Sequence, residues 1–159
     1  MCFVLYAGTT KPIPRSEFDE DAPNLSVKSL TEHDAPIKAH FSKPEIQYIG
    51  STSCCGCDFP HSILQNGGWP HFEGPDPDAE RDASRRRNME SLAALLRTTG
   101  EDAVELYGVW DGHFAASPKA RESVSFEKLL DPGFHFKERG FYRVSLENNA
   151  GRGSGPTQE

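Results

Sequence analysis

The sequence predicts an α+β fold: a mainly antiparallel sheet with one principal amphipathic helix and a long loop rich in Cys, His, Gly and Pro. Three observations lead there. Short segments of two-residue apolar alternation recur along the chain, and a single segment around residues 89–96 carries clear helical spacing. The later strand-like segments are separated by turns rather than by further helices. A chain of 159 residues has room for one hydrophobic core and not for two, so residues 1–147 are expected to form a single domain, followed by a tail at 148–159.

Cys2, Val4 and Tyr6 alternate with Phe3, Leu5 and Ala7, and both sets are apolar enough to be covered, so residues 2–7 read as a central strand. Thr9 to Asn24 is rich in Pro and acidic residues, has no sustained period and reads as a surface connection. A short strand is expected at Ser26 to Leu30. Another is expected at Glu45 to Gly50, where Pro44 opens the strand without standing inside it. Tyr48-Ile49-Gly50 is similar to half of the signature of the GIY-YIG nucleases. Cys54, Cys55 and Cys57 stand where that family carries its downstream Arg, so these residues read as a strand running into a turn.

Between Ser51 and Pro75 neither period holds, and a connection this long within one domain is usually functional or mobile. The helix is expected to start at Asp76, which can cap, with Pro77 in its first turn, and to leave at Gly100. Its stripe is Met89, Leu92, Ala93 and Leu96 at i, i+3, i+4 and i+7. Arg85, Arg86 and Arg87 lie off that stripe, within pairing range of Glu80, Asp82 and Glu90, and read as a solvated face. Ala103 to Trp110 alternates as a long central strand that ends at Asp111-Gly112. Glu122 to Phe126 reads as a further strand. Phe134 to Phe136 and Phe141 to Leu146 read as a hairpin around Lys137-Glu138-Arg139-Gly140. Beyond Leu146 too few apolar residues remain to offset ordering, so a disordered tail is expected.

The balance of 17 Lys and Arg against 24 Asp and Glu gives a net charge of -7, which disfavours a nucleic-acid partner because there is no basic excess to release phosphate counter-ions. No apolar run approaches the roughly 18 to 20 residues that cross a bilayer, so no membrane insertion is expected. The opening residues lack a basic leader, and a cytoplasmic location is expected. In a reducing compartment, cysteines serve as thiols, metal ligands or redox groups rather than as a disulfide framework. Of the 4 cysteines here, Cys54, Cys55 and Cys57 are clustered, and that clustering is the main functional clue.

Alternation in an extended segment puts Cys55 and Cys57 on one side and turns Cys54 away. His61 follows Pro60 closely enough to reach the same ion in a turn. Cys2 is the expected fourth ligand if the first strand lies beside Glu45 to Gly50, with Cys54 and His71 as substitutes. A Cys2, Cys55, Cys57 and His61 donor set favours a structural zinc ion, with copper(I) or an iron-sulfur centre as other occupants.

Two other readings use the same segment. One is a cysteine-dependent enzyme or thiol redox protein, with Cys55 or Cys57 as nucleophile and His113 as base. The other is a protein-interaction module docking through Trp69 and Phe72. The opening Met1-Cys2 resembles the start of the N-terminal-nucleophile amidotransferases over those two residues, with no glutamine-binding pattern after it. Glu105, alone on an apolar strand, and Asp111 at its end are isolated acids without a partner carboxylate.

Overall fold

Strand β1 (Phe3–Thr9) is apolar on both faces and buried along its whole length, and the rest of the sheet is laid down around it. The computed structural model describes residues 2–61 and 79–147. Strands β2 (Ser26–Ser29), β3 (Glu45–Gly50), β4 (Ala103–Trp110), β5 (Ala120–Ser125) and β6 (Gly140–Ser145) complete the sheet, in the order β2-β3-β1-β4-β6-β5. β1 is hydrogen-bonded antiparallel to β3 on one side, with Leu5 opposite Ile49, and to β4 on the other, with Leu5 opposite Gly108. Among these six strands, the β5–β6 pair alone is parallel.

The two faces of β1 meet different cover. Phe3, Leu5 and Ala7 point into the main core with Ile49, Leu106, Val144 and the stripe of helix α1 (Ala79–Arg97). Met89, Leu92, Ala93 and Leu96 are all buried, as the helical spacing predicts, and Leu92 and Leu96 are fully so. Burying a leucine of this kind stabilises the fold by about 1.5 to 3 kcal/mol relative to leaving it exposed. Val4 and Tyr6 face the other way, among Tyr107, Val109 and Phe141, under Ile37 of a 3-10 turn (Ala35–His40) and Phe114 of the loop after β4. Off the stripe, Arg86 pairs with Asp82 at 2.8 Å, one helical turn away. Gly100 takes φ +66° where the chain leaves α1, a conformation that favours glycine.

The expected hairpin between Phe134 to Phe136 and Phe141 to Leu146 does not form. Both edges of β6 are already taken, by β4 and by β5, so Phe134 to Phe136 cannot pair with it, and Phe136 makes an isolated parallel bridge to His61, its amide donating to the Pro60 carbonyl at 2.8 Å. The rings of Phe134 and Phe136 pack into the core, with Phe136 set at 5.6 Å from Tyr142. The strand expected at Glu122 to Phe126 is shifted. β5 ends at Ser125, whose side chain accepts a hydrogen bond from the Lys128 amide and caps the short helix α2 (Phe126–Leu129). The expected cap at Asp76 and Pro77, the loop residues Trp69, His71 and Phe72, and the tail at 148–159 lie outside the described residues. Among the described residues, no helix is long and apolar enough to cross a membrane.

Candidate metal centre

Phe3 needs a hydrogen-bond acceptor on the β3 side of β1, and β3 no longer provides one. Its last residue, Gly50, lies beyond Leu5 in the pairing register, and the chain then turns. Ser51, fully buried, shapes that turn: its amide donates to the Cys55 carbonyl at 3.0 Å and its hydroxyl donates to the same oxygen. Cys54 donates its amide to the Ser51 carbonyl at 3.0 Å and adopts φ +84° at the tip. The chain then returns to the sheet at Gly56, where an added Cβ would stand 2.6 Å from the Phe3 carbonyl oxygen and 3.2 Å from the Val4 Cα. Only a residue without a side chain allows that approach. It brings Cys57 in so far that the Phe3 amide, lacking a backbone carbonyl, donates to the Cys57 Sγ at 3.3 Å.

Three sulfurs converge as a result. The Sγ atoms of Cys2, Cys55 and Cys57 all lie within 4.8 Å of one another. Cys2 is fixed from the far side, its carbonyl accepting the Asp111 amide at 2.8 Å. Cys55 and Cys57 come together for a different reason from the one expected. Cys55 is extended, but Gly56–Asp58 closes into a 3-10 turn, and the Cys55 Sγ caps it by accepting the Cys57 amide at 3.4 Å. The turn, rather than strand alternation, points both sulfurs at Cys2. Cys54 does not join them; its carbonyl accepts the Tyr48 hydroxyl at 3.2 Å.

His61, the nitrogen ligand expected from the sequence, is held outside this cluster. Its ring stacks on Phe3 at 4.7 Å between centroids with 6° between the planes. Its Nδ1 lies 2.8 Å from the Phe59 carbonyl, which can only accept, so Nδ1 carries the proton. Burial lowers the imidazole's affinity for a second proton, the Phe59 contact opposes this, and Arg85 and His135 add to the lowering. His113, the base expected for a thiol enzyme, is exposed and joins no such cluster.

The loop is stapled to α1 by residues whose role the sequence reading did not single out. Asn88, fully buried, accepts the Thr52 amide at 2.8 Å and donates to Asp58 Oδ2 at 2.9 Å, and Ser84 donates to the same carboxylate oxygen. These bonds flank the cysteines on both sides. A signal was there to read: Asn88 stands one turn before Leu92 and two before Leu96, a polar residue in register with the apolar stripe.

Charge at the cluster follows from burial and crowding. Burial pushes the Cys57 thiol up to about 11, the Phe3 amide pulls the other way, and Cys55 adds to the rise. The Tyr48 hydroxyl is raised first by burial and then by the neighbouring sulfurs of Cys55, Cys54, Cys2 and Cys57. Three cysteines in this arrangement can hold a metal ion. Tetrahedral zinc with Zn–S of about 2.3 Å sets its sulfurs about 3.8 Å apart, so closing on an ion requires shifts of no more than about 1 Å. Comparison with protein-family models, with curated proteins and with solved structures finds no match, so the residues themselves carry the functional reading.

Proposed function

We propose that this is a small metal-binding protein in which Cys2, Cys55 and Cys57 hold a zinc ion in a structural role, tying the start of β1 to the loop after β3. The observation that carries the reading is the convergence of three sulfurs from segments more than fifty positions apart, two of them accepting backbone amides. Amide hydrogen bonds to sulfur favour the deprotonated form that a metal ligand requires. The donor set is soft, which suits zinc, with copper(I) next in line. His61 already presents the neutral, Nδ1-protonated ring of a metal-binding histidine, but its stacking on Phe3 must be released before it completes the fourth position.

The competing thiol-enzyme reading pairs Cys55 or Cys57 with His113 as base, and His113 is exposed and stands outside the cluster of sulfurs. A reducing compartment such as the cytoplasm would keep the thiols available for metal. The deciding experiment is metal analysis of protein purified without an affinity tag or chelator. Near-stoichiometric zinc, lost in Cys55→Ser and in Cys57→Ser, supports the reading. Metal-free protein that takes up no zinc on titration overturns it.

A further inference from the structure

A divalent ion leaves this site unfinished in two respects. Among the described residues the cluster offers three sulfurs and no nitrogen or carboxylate donor, so a tetrahedral ion has to draw its fourth ligand from elsewhere. Three thiolates around a divalent ion also carry one negative charge in excess, and Cys57 sets that charge against the main core, where burying it is costly. A trivalent, pyramidal centre meets both conditions. Three sulfurs on one side fill its coordination, its own lone pair takes the remaining direction, and the complex is neutral.

We propose that Cys2, Cys55 and Cys57 form a binding site for soft trivalent elements of the arsenic kind, taken up as their neutral hydroxides; this rests on the reading of these cysteines as one ligand set. With arsenous acid, each sulfur forms a bond to arsenic as one As–O bond breaks, and the thiol proton leaves with the hydroxide as water. Three S–As bonds replace three As–O bonds and three waters are released. Arsenic stays trivalent, so neither an oxidant nor a reductant is consumed. The sulfurs start within 4.8 Å of one another and close in a little further than zinc requires. Each keeps lone pairs after bonding, so Cys57 still accepts the Phe3 amide and Cys55 the Cys57 amide. Cys2 is exposed, which opens the cluster to solvent on that side.

The rival within the chain is the adjacent pair Cys54 and Cys55, because two neighbouring thiols also chelate arsenic, and Cys54 lies outside the cluster. Mass separates the two. Full-length protein, reduced and freed of metal, is titrated with arsenite and its intact mass is read. Binding by three sulfurs adds one arsenic less three hydrogens and leaves Cys54 alone open to a thiol label. Cys54→Ser should change neither the mass gain nor the affinity. Cys2→Ser should give a two-sulfur adduct that retains one hydroxyl and is held about a hundredfold more weakly. No adduct on the natural chain, a two-sulfur adduct there, or loss of binding in Cys54→Ser overturns the proposal, and zinc uptake by the same preparation then leaves the metal centre standing. A natural chain that takes up neither arsenic nor zinc overturns both. Arsenic held by three sulfurs in a chain that takes up no zinc supports this proposal and overturns the structural-zinc reading alone.

Discussion

Each end of β1 is fastened by a loop reaching in through polar atoms, and the two fastenings differ in what they leave over. At the Thr9 end, Gly8 pairs with Glu105 of β4, and the buried Glu105 carboxylate accepts the Ser42 amide at 3.0 Å, the Lys43 amide at 3.2 Å and the Ser42 hydroxyl. At the Phe3 end, the fastening groups are sulfurs, and Cys55 and Cys57 accept one amide each. The carboxylate is matched by three donors from a single tight loop, so most of its capacity is taken in holding that loop. The sulfurs hold their loop with weak bonds and still face one another within 4.8 Å, an arrangement that a cation completes. An isolated acid on an apolar strand thus proves to be a clamp, whereas the thiols retain capacity for chemistry.

The sharpest way to test the contrast is to remove each fastening in turn. Glu105→Ala should have the largest effect, about 2 to 4 kcal/mol in urea melts, because it removes the buried acceptor of three hydrogen bonds from the Ser42 and Lys43 loop. That loss should be the same with and without zinc; a zinc-dependent loss would show that the two ends are not independent. Cys57→Ser should follow, and its effect should depend on the metal. With free zinc about a hundredfold above the Kd, zinc should stabilise the natural chain by about 2.7 kcal/mol and the variant hardly at all. Equal melts for both proteins at every zinc concentration would falsify the assignment of a structural ion to this end.

Gly56→Ala comes next. The new methyl would press on the backbone of Phe3 and Val4, which cannot swing aside, so a loss of about 1 to 3 kcal/mol is expected. Weaker zinc binding should accompany it in a calorimetric titration, because the turn that aims Cys55 and Cys57 is pushed away from Cys2. A variant that melts lower but binds zinc as before would separate the loop's packing from its aim. The smallest effect is expected at Cys54→Ser. That thiol lies outside the cluster, and stability should stay within about 0.5 kcal/mol with zinc stoichiometry unchanged.

Legibility in the sequence followed the range of the interaction. The face alternation of Phe3 to Ala7, the stripe from Met89 to Leu96 and the strand from Ala103 to Trp110 were readable because burial on a regular element repeats with the period of that element. The pairing of Phe134 to Phe136 was misread because the aromatic content of a segment does not say whether its neighbour still has a free edge. At the site, Cys55 and Cys57 stood out by density, and Cys2 by the chance that β1 lies beside β3. His61 was drawn in by proximity in sequence. Phe3, a neighbour only after folding, captured its ring instead.

By itself the sequence determined the class of fold, the central place of β1, the face of α1 that is buried, and the donor chemistry available, since residue type and local period fix all four. The tertiary structure alone decided which donors meet. The Phe3 amide is left without a carbonyl where β3 ends, Gly56 lets the loop come against that bare backbone, and Asn88 pins the loop from the helix. None of these is a local preference. Each is a contact between segments far apart in the chain, and the convergence of Cys2, Cys55 and Cys57 exists only once all of them are made.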